Sequence, residues 1–112
     1  MYVQYARLRP AELARLHELV GPDPDAAFDY VDELAEWVEG NPVAEQRGLL
    51  LELPDPPPLG GTPLASDWGQ GPPVLLTPTE VVVAAAALDE GDLAVFLAAA
   101  AEAGDAVVSW RA

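Results

Sequence analysis

The chain has no cysteine and no lysine, and it has a single histidine, His17. Without cysteine there can be no disulfide, no thiolate metal site and no cysteine nucleophile. One histidine cannot form the histidine pair that many metal sites need. The five basic side chains, all arginine, face 19 carboxylates, for a formal net charge of −14. A surface of that sign repels phosphate backbones and anionic lipid, which argues against nucleic-acid and membrane partners. No apolar stretch is long enough for a membrane span; Val81 to Leu88 is the most apolar helical segment, and Asp89-Glu90 ends it. The start, Met1-Tyr2-Val3-Gln4-Tyr5, lacks the charged and apolar regions of a signal peptide, so the expected location is cytoplasmic.

Hydrophobic residues make up 51% of the 112, enough for a folded chain with one modest core. The chain is organised around Pro63 to Val81: a glycine-proline loop, the short apolar run Val74-Leu75-Leu76, and a helix start. Thr77 is placed to N-cap that helix, Pro78 suits its first position, and Glu80 closes a capping box. Leu8-Arg9-Pro10-Ala11-Glu12 has the same shape after the first strand, with Arg9 where the capping hydroxyl would be.

Taken in order, residues 2–7 read as a strand and Pro10 opens a helix to about Val20, with Gly21 as its stop. Asp25 is a candidate N-cap for a helix to about Glu39, with Phe28, Val31, Leu34, Ala35 and Val38 on its apolar side. Val43 to Leu53 is ambiguous between helix and strand; helix is the expectation adopted. Residues 54–73 form a long Pro/Gly-rich loop, and Trp68 in it suggests an anchored segment, because an indole is costly to leave in water. The strand at 74–76 follows, then a helix from Pro78 to about Leu88, a last helix capped by Asp89 and running to about Ala103, and a final strand at 105–110. The run Ala98 to Ala101 leaves the last helix with little polar side chain, so it either packs on both sides or offers a smooth docking surface. The expected fold is α+β, one domain of about five helices on a small sheet.

Gly60-Gly61-Thr62-Pro63-Leu64, Gly71-Pro72 and Leu76-Thr77-Pro78-Thr79-Glu80-Val81 together resemble the YfbM-like family of bacterial proteins. The opening Tyr5 to Leu13 is similar to that family's first strand and helix start, and Leu93 to Trp110 to its closing helix and strand. The resemblance implies a single YfbM-like domain over residues 1–112, shortened and divergent. The family has no assigned function. Its members usually carry a Trp-His-x-Leu-His run in the middle helix; here Glu45-Gln46-Arg47-Gly48-Leu49-Leu50-Leu51 stands there, so the resemblance carries over no catalytic residue.

The residues give no independent sign of catalysis. His17 lies beside Leu13 and Leu16 at helical spacing, as a boundary residue would. The carboxylate pairs Asp29/Glu33, Asp32/Glu36 and Asp89/Asp92 read as solvated helix neighbours, whereas acid–base work needs environments that separate two pKa values. Asp23, Asp25 and Asp29 lack the spacing and glycine of a calcium loop. Gly69-Gln70-Gly71 precedes a strand instead of following one, unlike a phosphate cradle. No cofactor or metal is expected. The residues point to a non-catalytic, immunity-like or regulatory interaction module, with Asp25, Asp29, Asp32, Glu33 and Glu36 as an acidic ridge for a basic protein partner. The alternative is a small-ligand-binding or enzymatic protein with a pocket under the loop of Asp67, Trp68 and Gln70.

Overall fold

The computed structural model describes residues 2–20, 22–23, 25–31, 50–54, 56, 59–64, 68 and 71–111. Strand β1 (Tyr2–Leu8) leads into helix α1 (Pro10–Val20), and residues 25–31 are helical (α2). Strands β2 (Leu50–Pro54), β3 (Thr62–Pro63) and β4 (Val74–Leu76) follow, then helices α3 (Pro78–Ala87) and α4 (Asp92–Ala103) and strand β5 (Ala106–Arg111). The five strands form one antiparallel sheet in the order β2-β1-β5-β4-β3. The fold is thus α+β, a single domain; its radius of gyration of 13.0 Å is what one domain of this length should have, about 13 Å.

The sheet is covered on both sides because its central strand is apolar on both. β5 alternates: Ala106, Val108 and Trp110 face one core, and Val107 faces the other. Register carries this alternation outward, since residues directly opposite in antiparallel strands share a face. Ala6 and Leu75 lie opposite Val108 and join the first core, while Leu76 lies opposite Val107 and joins the second. Leu16 and Val20 of α1, with Ala27 and Val31 of α2, close the first core. Val81 and Ala84 of α3, with Leu93, Phe96, Leu97 and Ala100 of α4, close the second.

Three sequence expectations need correction. Four helical segments stand among the described residues. The helix expected over Val43 to Leu53 is the first to be corrected: residues 43–49 lie outside the described ones, and Leu50–Pro54 is a strand, not a helix end. Leu51 and Leu53 are half-buried against the second core, while the alternating Glu52 and Pro54 are exposed, which is a period of two. Gln4, its register partner, donates a 2.7 Å hydrogen bond to the Glu52 carboxylate. The loop expected at 54–73 contains Thr62–Pro63 as an edge strand. Both outer strands carry a proline, which edges tolerate and which blunts pairing with another sheet. Finally, Asp89 does not cap the last helix; its N-cap is Gly91, at φ 105°, a backbone conformation that glycine adopts without strain.

The two strand-to-helix turns are built alike. At α3 the Thr77 hydroxyl accepts from the Glu80 amide at 3.3 Å, and the Thr77 amide donates to the Glu80 carboxylate at 3.1 Å, a complete capping box. At α1 the Arg9 amide donates to Glu12 at 2.9 Å, but arginine has no acceptor to return. Gly61, at φ 96°, fits against β4 because a Cβ there would stand 2.8 Å from the Leu75 carbonyl oxygen.

Candidate functional site

The acidic ridge begins on α2. Asp23 ends the turn after α1, and its carboxylate accepts from the Ala26 amide at 3.1 Å. It therefore occupies the capping role expected of Asp25, which instead lies in the first turn of the helix, where the positive end of the helix dipole favours an anion. Asp25 and Asp29, one turn apart, are both exposed, while Ala27 and Val31 are buried in the first core. Their two carboxylates share one solvent-facing side of the segment. Asp32, Glu33 and Glu36 lie outside the described residues. Tyr30 packs at the edge of the same core, and its phenol titrates above the usual value; partial burial is the largest cause and the Glu12 carboxylate adds to it, while Arg15 and Arg9 oppose it.

Trp68 is the described member of the loop alternative; Asp67 and Gln70 lie outside the described residues. Its indole is core material, 6% exposed, with the amide of the same residue donating to the Gly71 carbonyl at 3.2 Å. Phe28 of α2 and Trp110 of β5 meet it edge-on, with ring centroids at 5.5 and 5.6 Å. This triad ties the loop, α2 and the central strand together. Its indole Nε1 is buried and finds no acceptor among the described residues.

Arg7 and Asp105 form a buried ion pair where β1 and β5 meet the end of α4. Arg7 donates to Asp105 Oδ2 through Nε at 3.0 Å, and its terminal nitrogen lies 2.9 Å from the same oxygen. The same guanidinium reaches the Ala99 carbonyl at 3.5 Å, placing a cation at the C-terminal end of α4, where the dipole favours it. Nothing in the residue pattern pointed to this pair, since 98 positions separate its members.

His17 is exposed in the last turn of α1, and Asp89 and Asp92 are exposed at the α3–α4 turn. Among the described residues no group of three His, Cys, Asp or Glu side chains is close enough to hold a metal ion. No helix among them is long and apolar enough to cross a membrane.

Fold and surface define a class: a small, strongly acidic α+β domain with an antiparallel sheet buried between two helical layers. No family model matches the chain, and neither a curated protein nor a solved structure matches it.

Proposed function

We propose that this protein is a non-catalytic, cytoplasmic interaction module, immunity-like or regulatory, that masks a basic surface on a partner protein through the ridge from Asp25 to Glu36. The observation that supports this most is the exposure of Asp25 and Asp29, one turn apart on a helix whose other side is anchored in the core. Their charge is not neutralised by the chain at large, which carries 19 carboxylates against five arginines. Kinship with the YfbM-like family is part of the proposal and rests on the residues quoted above.

The experiment begins with affinity capture from the native host at low and high salt, followed by kinetics with the captured partner. Asp29→Lys should leave stability unchanged or raised by a few tenths of a kcal/mol, because it replaces like-charge neighbours at helical spacing with opposite ones. The same change should slow association markedly at low salt. Unchanged association kinetics would remove the ridge from consideration.

A second reading, a small-ligand or enzymatic pocket under the Trp68 loop, has one observation in its favour. The buried Nε1 is a donor that a small polar ligand could satisfy.

A further inference from the structure

The outer surface of the α3–α4 hairpin is apolar where solvent-facing helices are normally polar. Val82, Val83 and Val95 are 53, 67 and 70% exposed, and among the described residues only Tyr2 joins them as a large hydrophobic side chain more than half exposed. Ala86, Ala98 and Ala99 are exposed on the same two helices, whose other sides hold the second core. Helices apolar all round are ordinarily covered on both sides. The charges on this hairpin are of one sign: Asp89, Glu90 and Asp92 stand exposed at its turn, and Glu102 near its far end. No lysine, arginine or histidine occurs from residue 48 to residue 110.

We propose that this face docks an amphipathic basic segment of a partner protein, whose apolar side chains cover Val82, Val83 and Val95 while its flanking Arg or Lys groups meet the carboxylates at the two ends. Charge complementarity selects this occupant. A second copy of the chain would set carboxylate against carboxylate in either relative orientation, because both ends of the hairpin are acidic. An anionic lipid surface is disfavoured by the same sign. The surface lies on the opposite side of the sheet from Asp25 and Asp29, so the inference does not depend on the ridge.

The probe is a synthetic helical peptide with leucine along one face and lysine along the other, titrated at physiological ionic strength by fluorescence anisotropy. Its control has the same composition in an order that forms no apolar face. The diagnostic variant is Val83→Asp with Val95→Asp, both at exposed positions, with the fold checked by circular dichroism. This variant makes the protein more acidic, so attraction by charge alone would tighten binding, whereas apolar docking predicts a loss of about tenfold or more. The expected result is tight binding of the amphipathic peptide, weak binding of the reordered one, and the tenfold loss in the aspartate variant. Equal affinity for the two peptides, or unchanged or tighter binding by the variant, would overturn the proposal. So would a dimer of the free protein, seen by sedimentation and dispersed by the same variant, because the occupant would then be a second copy.

Discussion

Trp68 is where the packing can be tested most sharply, because two opposing terms act on one side chain. Truncation to alanine removes a buried indole and both edge-on contacts, to Phe28 and Trp110. Large aromatic truncations in cores cost about 3–5 kcal/mol. For a domain whose total stability is on the order of 5–15 kcal/mol, that is a large share. Trp68→Phe is different. It removes a few ring atoms at about 0.8 kcal/mol per methylene-sized group, plus a small cavity term. It also removes a buried N–H that finds no acceptor among the described residues, for which the wild type carries a desolvation cost of about 1–3 kcal/mol. The two terms nearly cancel, so Trp68→Phe should fall within about 1 kcal/mol of wild type while Trp68→Ala costs several. Urea unfolding followed by far-ultraviolet circular dichroism measures both. The near-ultraviolet signal should drop in both variants, since the Trp68–Trp110 pair is lost in each. If Trp68→Phe proves as costly as Trp68→Ala, the Nε1 has a partner in solution, and the argument for an unsatisfied donor is wrong.

The two helix starts make a paired prediction: Thr77→Ala should cost about 1 kcal/mol, roughly 4 °C in Tm, while Arg9→Ser should be stabilising because it supplies the missing acceptor to the α1 start. The ion pair forfeited by the second change, Arg9 with Glu12, is solvent-screened and worth little, so a lower Tm for Arg9→Ser would show that the box does not form there. Asp105→Ala removes the bonds that the largely buried Arg7 guanidinium makes to Asp105 Oδ2 and should cost about 1.5–3 kcal/mol by chemical denaturation; a loss below about 0.5 kcal/mol would mean that solvent screens the pair. Tyr5 titrates above its ordinary value because burial disfavours the phenolate, so its contribution to stability is complete below pH 10.0 and is lost as the pH rises through the folded value. Alkaline titration of Tyr5→Phe should show a shallower loss of stability than wild type above pH 10.0, and identical curves would refute this.

What was legible in the sequence was local chemistry. Thr77, Pro78 and Glu80 specify a helix start within four residues, and the box forms with both hydrogen bonds. Pro10–Val20 and Val74–Leu76 were likewise marked by their own punctuation and apolar pattern. What failed was decided by partners distant in the chain. Leu49-Leu50-Leu51 fits either a helix or a strand on sequence alone; the strand is decided at Leu50 and Leu51, where β1 lies beside them and Gln4 meets Glu52. The burial of Trp68 could be inferred from its cost in water, but not its seat between Phe28 and Trp110, which are 40 residues before it and 42 after. Asp89 looked like a cap because aspartate often is one, whereas the chain needed φ 105° at the start of α4, and glycine supplies that most cheaply. Of the candidate ridge, the exposure of Asp25 and Asp29 followed from their spacing against the apolar side. The capping role went to Asp23, since only its carboxylate reaches the Ala26 amide.

The arrangement of charge bears on how the two proposed surfaces can be told apart. Among the described residues three arginines engage carboxylates of their own chain: Arg7 with Asp105, Arg9 with Glu12 and Arg15 with Glu18. These pairs lie around β1, α1 and the adjoining end of α4, so they leave Asp25, Asp29 and the turn of the α3–α4 hairpin uncompensated by any ion pair among the described residues. The two acidic regions flank the sheet from opposite sides, two packing layers and an outward helix radius on each side apart, roughly 30 Å. At physiological ionic strength the screening length is about 8 Å, so each region acts on a partner separately. At 0.01 M it is about 30 Å, comparable to the separation, and the whole acidic surface then attracts any basic probe. Assigning a partner to the ridge or to the hairpin therefore requires measurement near 0.15 M salt. There, Asp29→Lys alters only the field on its own side, and Val83→Asp with Val95→Asp alters only the apolar contact on the other. Binding that responds to both substitutions at that salt would mean a partner large enough to reach around the sheet edge, and the edge strands that it must pass are those carrying Pro54 and Pro63.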